Sequence, residues 1–237
     1  MNKKENPVGQ DNVNKNHFCT VRTVQDTSGR TKAALLNEAR WNVSQLTVGF
    51  LEGDPELQQR VLAVAREWTG QDMANLKFLE AEEANADIRI AFQQGDGSWS
   101  YLGTHAQQIP AGEPTMNYGW LTPESTDDDV RRVVLHEFGH AVGLIHEHQN
   151  PQKPIQWNRA AVIADLSGPP NNWDEQTIEH NIFRKYSAGD VTGTDTDKDS
   201  IMMYPIPQSW TLDGFSADLN SGLSSTDKEF IRSAYPW

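Results

Sequence analysis

His136-Glu137-Phe138-Gly139-His140-Ala141-Val142-Gly143-Leu144-Ile145-His146 is the stretch whose reading decides the fold. Upstream, Thr126-Asp127-Asp128-Asp129 is a helix start: Thr126 caps, Asp129 closes a capping box, and the acids suit the positive end of the helix dipole. The helix then carries His136 and His140 four residues apart, so both imidazoles lie on one face and reach a single ion. Glu137 sits beside them, placed to address a water at that ion. Gly143 is where the helix can stop with a left-handed backbone, and that turn brings His146 back as a third ligand. Three ligands leave one position open, which separates a site for chemistry from a closed structural site. A chance His-Glu-x-x-His match on a solvated face is the bland alternative for the first five residues. It loses its force once Gly143 and His146 fall at the two added positions.

Working outward, Leu46 to Leu51 reads as a strand leading into Gly53-Asp54-Pro55-Glu56, an N-cap aspartate followed by a proline at the first helical position. The helix predicted there runs to about Thr69, with Leu57, Val61, Val64, Ala65 and Trp68 as one apolar stripe to lie on a sheet. Leu76 to Glu80 and Asp87 to Phe92 are further strands, the second alternating cleanly. Ser98 to Thr104 and Thr115 to Trp120 are shorter candidates. The fold class expected is α+β, a twisted mixed sheet with two long helices. Beyond Pro151 the pattern loosens, with helices near 158–166, 174–186 and 226–234. Phe18 to Val24 is strand-like and Lys32 to Trp41 weakly helical. The organisation read from this is a disordered tail over 1–16, an N-terminal segment over 17–44, an upper lobe over 45–146 and a lower lobe over 147–237.

The 237 residues suffice to bury roughly 70–75% of the surface of the unfolded chain. A net charge of −13 argues against nucleic acid or anionic lipid as partner, because both repel an acidic surface. No apolar run reaches the length of a membrane span, and Met1 to Pro7 has no apolar segment behind its lysines, so the sequence shows neither a span nor a signal peptide. One cysteine, Cys19, rules out an internal disulfide and leaves the compartment open.

The extended motif is similar to the zinc signature of metzincin metallopeptidases. Glu147 directly after the third histidine, and Ser200-Ile201-Met202-Met203-Tyr204 further on with Asp197 three before Ser200, resemble the astacin-like branch. The weaker Ser98-Trp99-Ser100-Tyr101-Leu102-Gly103 and Leu223-Ser224-x-x-Asp227-Lys228 extend the likeness. The resemblance implies a two-lobed metzincin-like domain and a monomeric zinc-dependent endopeptidase with one Zn2+ per chain, held by His136, His140 and His146. It implies Glu137 as general base for a zinc-bound water, Met202 as the Met-turn methionine, and Tyr204 as both resting ligand and oxyanion donor. Gly143, Met202 and Glu147 are then structural at the site. Protein or peptide substrates are expected extended along an edge strand at Ser98–Thr104. Secretion is implied too, against which the start of the sequence leaves a cytoplasmic location open. Animal members carry disulfides, which a single Cys forbids, and bury a processed N-terminus on the glutamate after the third histidine, so the partner of Glu147 is an open question.

Two rivals stand beside this reading: a zinc-stabilised binding protein without turnover, and a thermolysin-like hydrolase, whose third ligand is a distant glutamate. Asp195 to Asp199 lacks the glycine and terminal glutamate of a calcium loop and reads as a solvated acidic turn. His17, His105, His148 and His180 have no ligand spacing. Cys19 reads first as a small buried hydrophobe and second as a thiolate cap on the zinc of a latent form. Trp99, Trp120, Trp157, Trp173 and Trp210 have packing as the default account, with the lining of a cleft as the alternative for some.

Overall fold

The computed structural model describes residues 18–24, 39–82, 85–151, 154–186 and 196–237; the weakly helical stretch at 32–41, apart from its last three residues, and the tail at 1–16 lie outside them. Six strands form one sheet: β1 (Thr20–Arg22), β2 (Gln45–Phe50), β3 (Lys77–Glu80), β4 (Ile88–Ala91), β5 (Ser98–Tyr101) and β6 (Met116–Tyr118), in the order β1-β5-β6-β4-β2-β3. β5 and β6 are antiparallel and every other pairing is parallel, so the sheet is mixed, as the pattern predicts.

α1 (Pro55–Ala65) begins as expected, the Asp54 carboxylate accepting from the amides of Glu56 and Leu57, and it tightens into a 3-10 turn at Arg66–Trp68. α2 (Asp127–Ala141) packs against α1, β5 and β6. Leu57, Val61, Leu62 and Ala65 of α1, Val130, Val133, Val134 and Phe138 of α2, and Leu46, Val48, Ile88 and Ile90 of the sheet belong to one core. The fully buried Trp68 fastens the two helices, donating from its indole to the Leu135 carbonyl at 2.9 Å. The cap of α2 differs in one detail from the box predicted: the Asp129 carboxylate accepts from the Thr126 hydroxyl, and that hydroxyl accepts from the Asp129 amide.

After α2 the chain is mostly loops and short helices: α3 (Arg159–Leu166), α4 (Glu175–Ile178) running into a π turn at Glu179–Phe183, and α5 (Ser225–Ala234). A second core gathers Ile155, Val162, Leu166, Ile178, Ile182, Phe183, Ile206 and Trp210, and Phe18 joins it from the N-terminal segment. No helix among the described residues is long and apolar enough to cross a membrane.

Three expectations need correcting. Ser98–Thr104 is strand only to Tyr101, because Gly103 turns with φ +48 into a 3-10 segment, so tight against Ala39 that a Cβ would lie 1.8 Å from its carbonyl oxygen. Nor is β5 an edge strand, since β1 pairs along its outer side. The alternation of Asp87–Phe92 also misleads: β4 is buried on both faces. Loop 109–113 covers the second face and turns carbonyls inward. Arg89 fills that polar lining, donating to Ala86, Ile109, Pro110 and Glu113 at 2.7–3.3 Å. Arg89→Met is expected to leave these acceptors unpaired and to lower stability by about 2–4 kcal/mol, roughly 5–15 °C in a thermal melt, with no loss of bound metal.

Candidate metal centre

α2 ends at Ala141, and Gly143 follows with φ +98. The Gly143 amide bonds the His140 carbonyl and the Leu144 amide bonds the Gly139 carbonyl, both at 2.8 Å, which is the Schellman pattern that a left-handed residue permits. Two further helix-end carbonyls are met from outside, Ala141 by the Trp41 indole and Val142 by the Tyr235 hydroxyl, each at 2.8 Å. The turn is thereby fixed, and His146 returns to the helix face.

His136, His140 and His146 form the cluster of metal-binding type among the described residues, their ligand atoms all within 4.8 Å of one another and all three buried. The Nε2 atoms of His140 and His146 stand 3.1 Å apart. Two imidazoles on one tetrahedral zinc at about 2.0–2.1 Å have nitrogens about 3.3 Å apart, so this spacing fits a shared ion. The tautomers agree: Nδ1 of His136 donates to the Ile201 carbonyl (2.8 Å) and Nδ1 of His140 to the Leu144 carbonyl (2.7 Å), which leaves Nε2 of each as the free lone pair. Nε2 of His136 is buried with no partner in the protein. Burial holds all three rings far below their ordinary basicity, His136 near 4, so each is the neutral ligand that a metal needs. Zinc is the ion this donor set suits.

Glu137 is fully buried, and its carboxylate oxygens make no hydrogen bond of full geometry, the Cys19 thiol being the donor near them. Burial pushes its pKa up, partly opposed by the neighbouring Cys19 thiol; a dication at the histidines acts strongly the other way. Cys19 stands inside the cleft, its thiol pushed up by burial and then by the Glu137 charge. It is not one of the clustered ligands.

Tyr204 lies with its ring 4.2 Å from that of His146, and its hydroxyl donates to the Cys19 carbonyl. Met202 sits beneath the histidines, against the zinc helix at Gly139: a Cβ there would lie 2.3 Å from the Met202 sulfur, so the glycine is what lets the two elements close. The Glu147 amide bonds the Met202 carbonyl, and its carboxylate accepts from the Asp197 amide (3.0 Å) and the Asn150 side chain (3.4 Å). Those are the partners the sequence left open. Burial raises Glu147 to about 7.

Two contributors were missed. Asp227, the N3 residue of α5, accepts from the Ser200 hydroxyl at 2.6 Å and the Ile201 amide at 2.9 Å, so it holds the very turn whose carbonyl orients His136. Ser224-x-x-Asp227 is legible as a capping box, and the reciprocal cap forms, but nothing in sequence says that Asp227 also reaches Ser200 and Ile201. His148, which has no ligand spacing, bonds the Asn181 carbonyl, and its ring also lies over His146 (5.3 Å) and Tyr204 (4.6 Å). Of the remaining acidic run, Asp197 accepts from the Asp199 amide and the Ser224 hydroxyl, while Asp195 lies outside the described residues.

Residues 40–155 match the matrixin family, Peptidase M10. Myroilysin, a solved structure, is 41% identical, with a TM-score of 0.82 over 86% of this chain and 99% of its own. The chain belongs to the metzincin zinc metallopeptidases. Zinc metalloproteinase nas-26 of Caenorhabditis elegans is 27% identical over 165 residues, 65% of this chain and 36% of its own. The first curated relatives are longer, so the chain spans little more than a third of their length at most. High choriolytic enzyme 1, a hatching-enzyme zinc protease from the medaka Oryzias latipes, shares the fold with a TM-score of 0.51 at 14% identity, covering 83% of this chain and 92% of its own. The α+β metzincin fold and the single zinc cofactor expected from the sequence are thereby borne out.

Because Asp227 orients His136 through the turn at Ser200–Met202, Asp227→Asn is expected to weaken zinc binding about 10–100-fold, read by competition with a chromogenic chelator, while the far-ultraviolet circular dichroism is retained.

Proposed function

We propose that the chain is an endopeptidase of the astacin-like branch, hydrolysing peptide bonds of protein substrates with Glu137 as general base and Tyr204 as oxyanion donor. The observation that carries this is a buried carboxylate with no donor near it but the Cys19 thiol, next to three imidazoles whose free lone pairs converge. Such a carboxylate is costly unless a water and a cation complete it. Zinc, when bound, supplies Lewis acidity to the substrate carbonyl and makes water easier to deprotonate. Glu137 takes the proton of the attacking water and passes it to the leaving amine. The Tyr204 hydroxyl donates here to a peptide carbonyl, that of Cys19, which is the contact asked of it with substrate. His148 and His146 pack on its ring and limit its swing.

In this reading residues 45–146 lie above the cleft and 147–237 below it, and Met202 and Met203 belong to the two different cores, so the Met-turn joins the lobes. Substrate lies antiparallel along β5, where β1 now pairs. β1 brings Cys19 to Glu137 and runs parallel to β5, which supports a latent form in which the N-terminal segment blocks the cleft in reverse orientation. Secretion goes with this reading, and a monomer suffices for it.

Purified protein is expected to contain about one zinc per chain, to lose activity on chelation and to regain it with zinc. Glu137→Gln should keep the metal and lose on the order of 10²–10⁴ in kcat. Tyr204→Phe should lose roughly 10²–10³, in kcat with KM little changed, because its bond forms to the oxyanion. Near wild-type kcat in a zinc-loaded Tyr204→Phe chain overturns the oxyanion role. Cys19→Ala should raise the activity of the uncleaved chain; equal rates dispose of latency.

A further inference from the structure

One contact of the N-terminal segment has no part in the chemistry above. The guanidinium of Arg22 lies over the Trp99 indole, its carbon 3.4 Å from the ring centroid, and Nη2 is 3.4 Å from Oδ2 of Asp96. The same carboxylate oxygen accepts from the Trp99 indole N–H at 2.9 Å. Trp99 is on β5 and Asp96 on the Gly95-Asp96-Gly97 turn that enters it, so both belong to the sheet side of the cleft and neither depends on the N-terminal segment for its place. Trp99 is only 2% exposed with Arg22 upon it. Were the segment to leave, an apolar ring face would be bared beside an anchored carboxylate, the combination that binds a guanidinium or ammonium and little else.

We propose that Trp99 and Asp96 form a recognition site for a basic side chain of the substrate, on the N-terminal side of the cleaved bond, and that Arg22 holds it as a stand-in. This rests on the endopeptidase reading above. The position follows from register. Arg22 stands opposite Tyr101, at the far end of β5 from Ser98, three residues along the strand from Cys19 beside Glu137. A substrate antiparallel to β5 has its N-terminal half at the Tyr101 end. Paired positions on neighbouring strands point to the same face in either direction, so a substrate residue opposite Tyr101, about three before the cleaved bond, is within reach of the indole as Arg22 is. The net charge of −13 favours a cationic substrate at longer range.

The site is half exposed, Arg22 and Asp96 side chains retaining 40% and 50% of their surface, so selectivity is modest: about threefold to thirtyfold for arginine over norleucine. The test uses the zinc-loaded full chain and Arg22→Ala, which removes the stand-in side chain from the Trp99 face; for cleavage, each is taken after limited proteolysis has released the N-terminal segment from β5. Peptides differing only at the residues two to four before the cleaved bond are compared as the ratio of kcat/KM for arginine to that for norleucine. The ratio is expected to exceed three in Arg22→Ala, to fall with added salt, and to drop towards one on Asp96→Asn, which keeps the acceptor for the indole and removes only the charge. Independently of turnover, acetyl-arginine amide should shift the Trp99 indole N–H resonance of Arg22→Ala, assigned through Trp99→Phe, and acetyl-norleucine amide should not. A chain that cleaves with a ratio near one and shows no shift overturns the proposal. A chain that shows the shift but cleaves no peptide even after its N-terminal segment has been removed by limited proteolysis overturns the endopeptidase reading, and with it the assignment to substrate, leaving a cation site.

Discussion

The hydrogen bond from His136 Nδ1 to the Ile201 carbonyl is the interaction on which the rest of the site depends. A helix can present His136 and His140 on one face by itself, but it cannot fix the rotation of an imidazole about its own bonds. That needs a partner on the far ring nitrogen, and the helix has none to give. The partner comes from a segment distant in sequence, held by Asp227 through Ser200 and Ile201, and pressed on Gly139 by Met202. The metal site therefore exists only when the chain has closed over itself. Its three nitrogens converge because α5, the turn at Ser200–Met202 and α2 are locked in sequence, each to the next.

This explains which parts of the site were legible. Local rules suffice for the helix start at Thr126, the histidine pair and the stop at Gly143, since each rests on residues within a turn or two. They also place the strands at 46–50 and 88–91 and the helix after Pro55. The sheet order, with β1 arriving from the N-terminus to pair with β5, is a long-range result with no periodic signature. Arg89 failed for the same reason: a charged residue in an alternating run reads as solvent-facing, and only the carbonyls of loop 109–113 make its burial affordable. Asp227 sits in a capping pattern that local rules explain in full, and its second task lies 26 residues away, where they do not reach. His148 had no ligand spacing because it is not a ligand, and a ring that packs on a ligand leaves no pattern.

Polar groups are unevenly satisfied across this architecture. Asp227 meets three donors, Glu147 two, and the outer nitrogens of His136 and His140 each a carbonyl. Beside these, His136 Nε2 is buried without a partner, and the Glu137 oxygens have no donor near them but the Cys19 thiol. A buried polar atom left unpaired costs on the order of 1–3 kcal/mol, more for a charge, so these groups carry an appreciable destabilisation, and the bonded groups beside them stop it from relaxing. A well-packed shell around unpaired atoms cannot collapse onto them, and the strain is relieved only by something small and polar from outside. Because three of the converging atoms are neutral nitrogens and the neighbouring pair are carboxylate oxygens, what relieves it is a cation together with a water. The metal thus stabilises the fold by its own binding free energy as well as equipping the site, and the same unpaired groups that make the metal-free chain less stable are the ones the proposed chemistry uses.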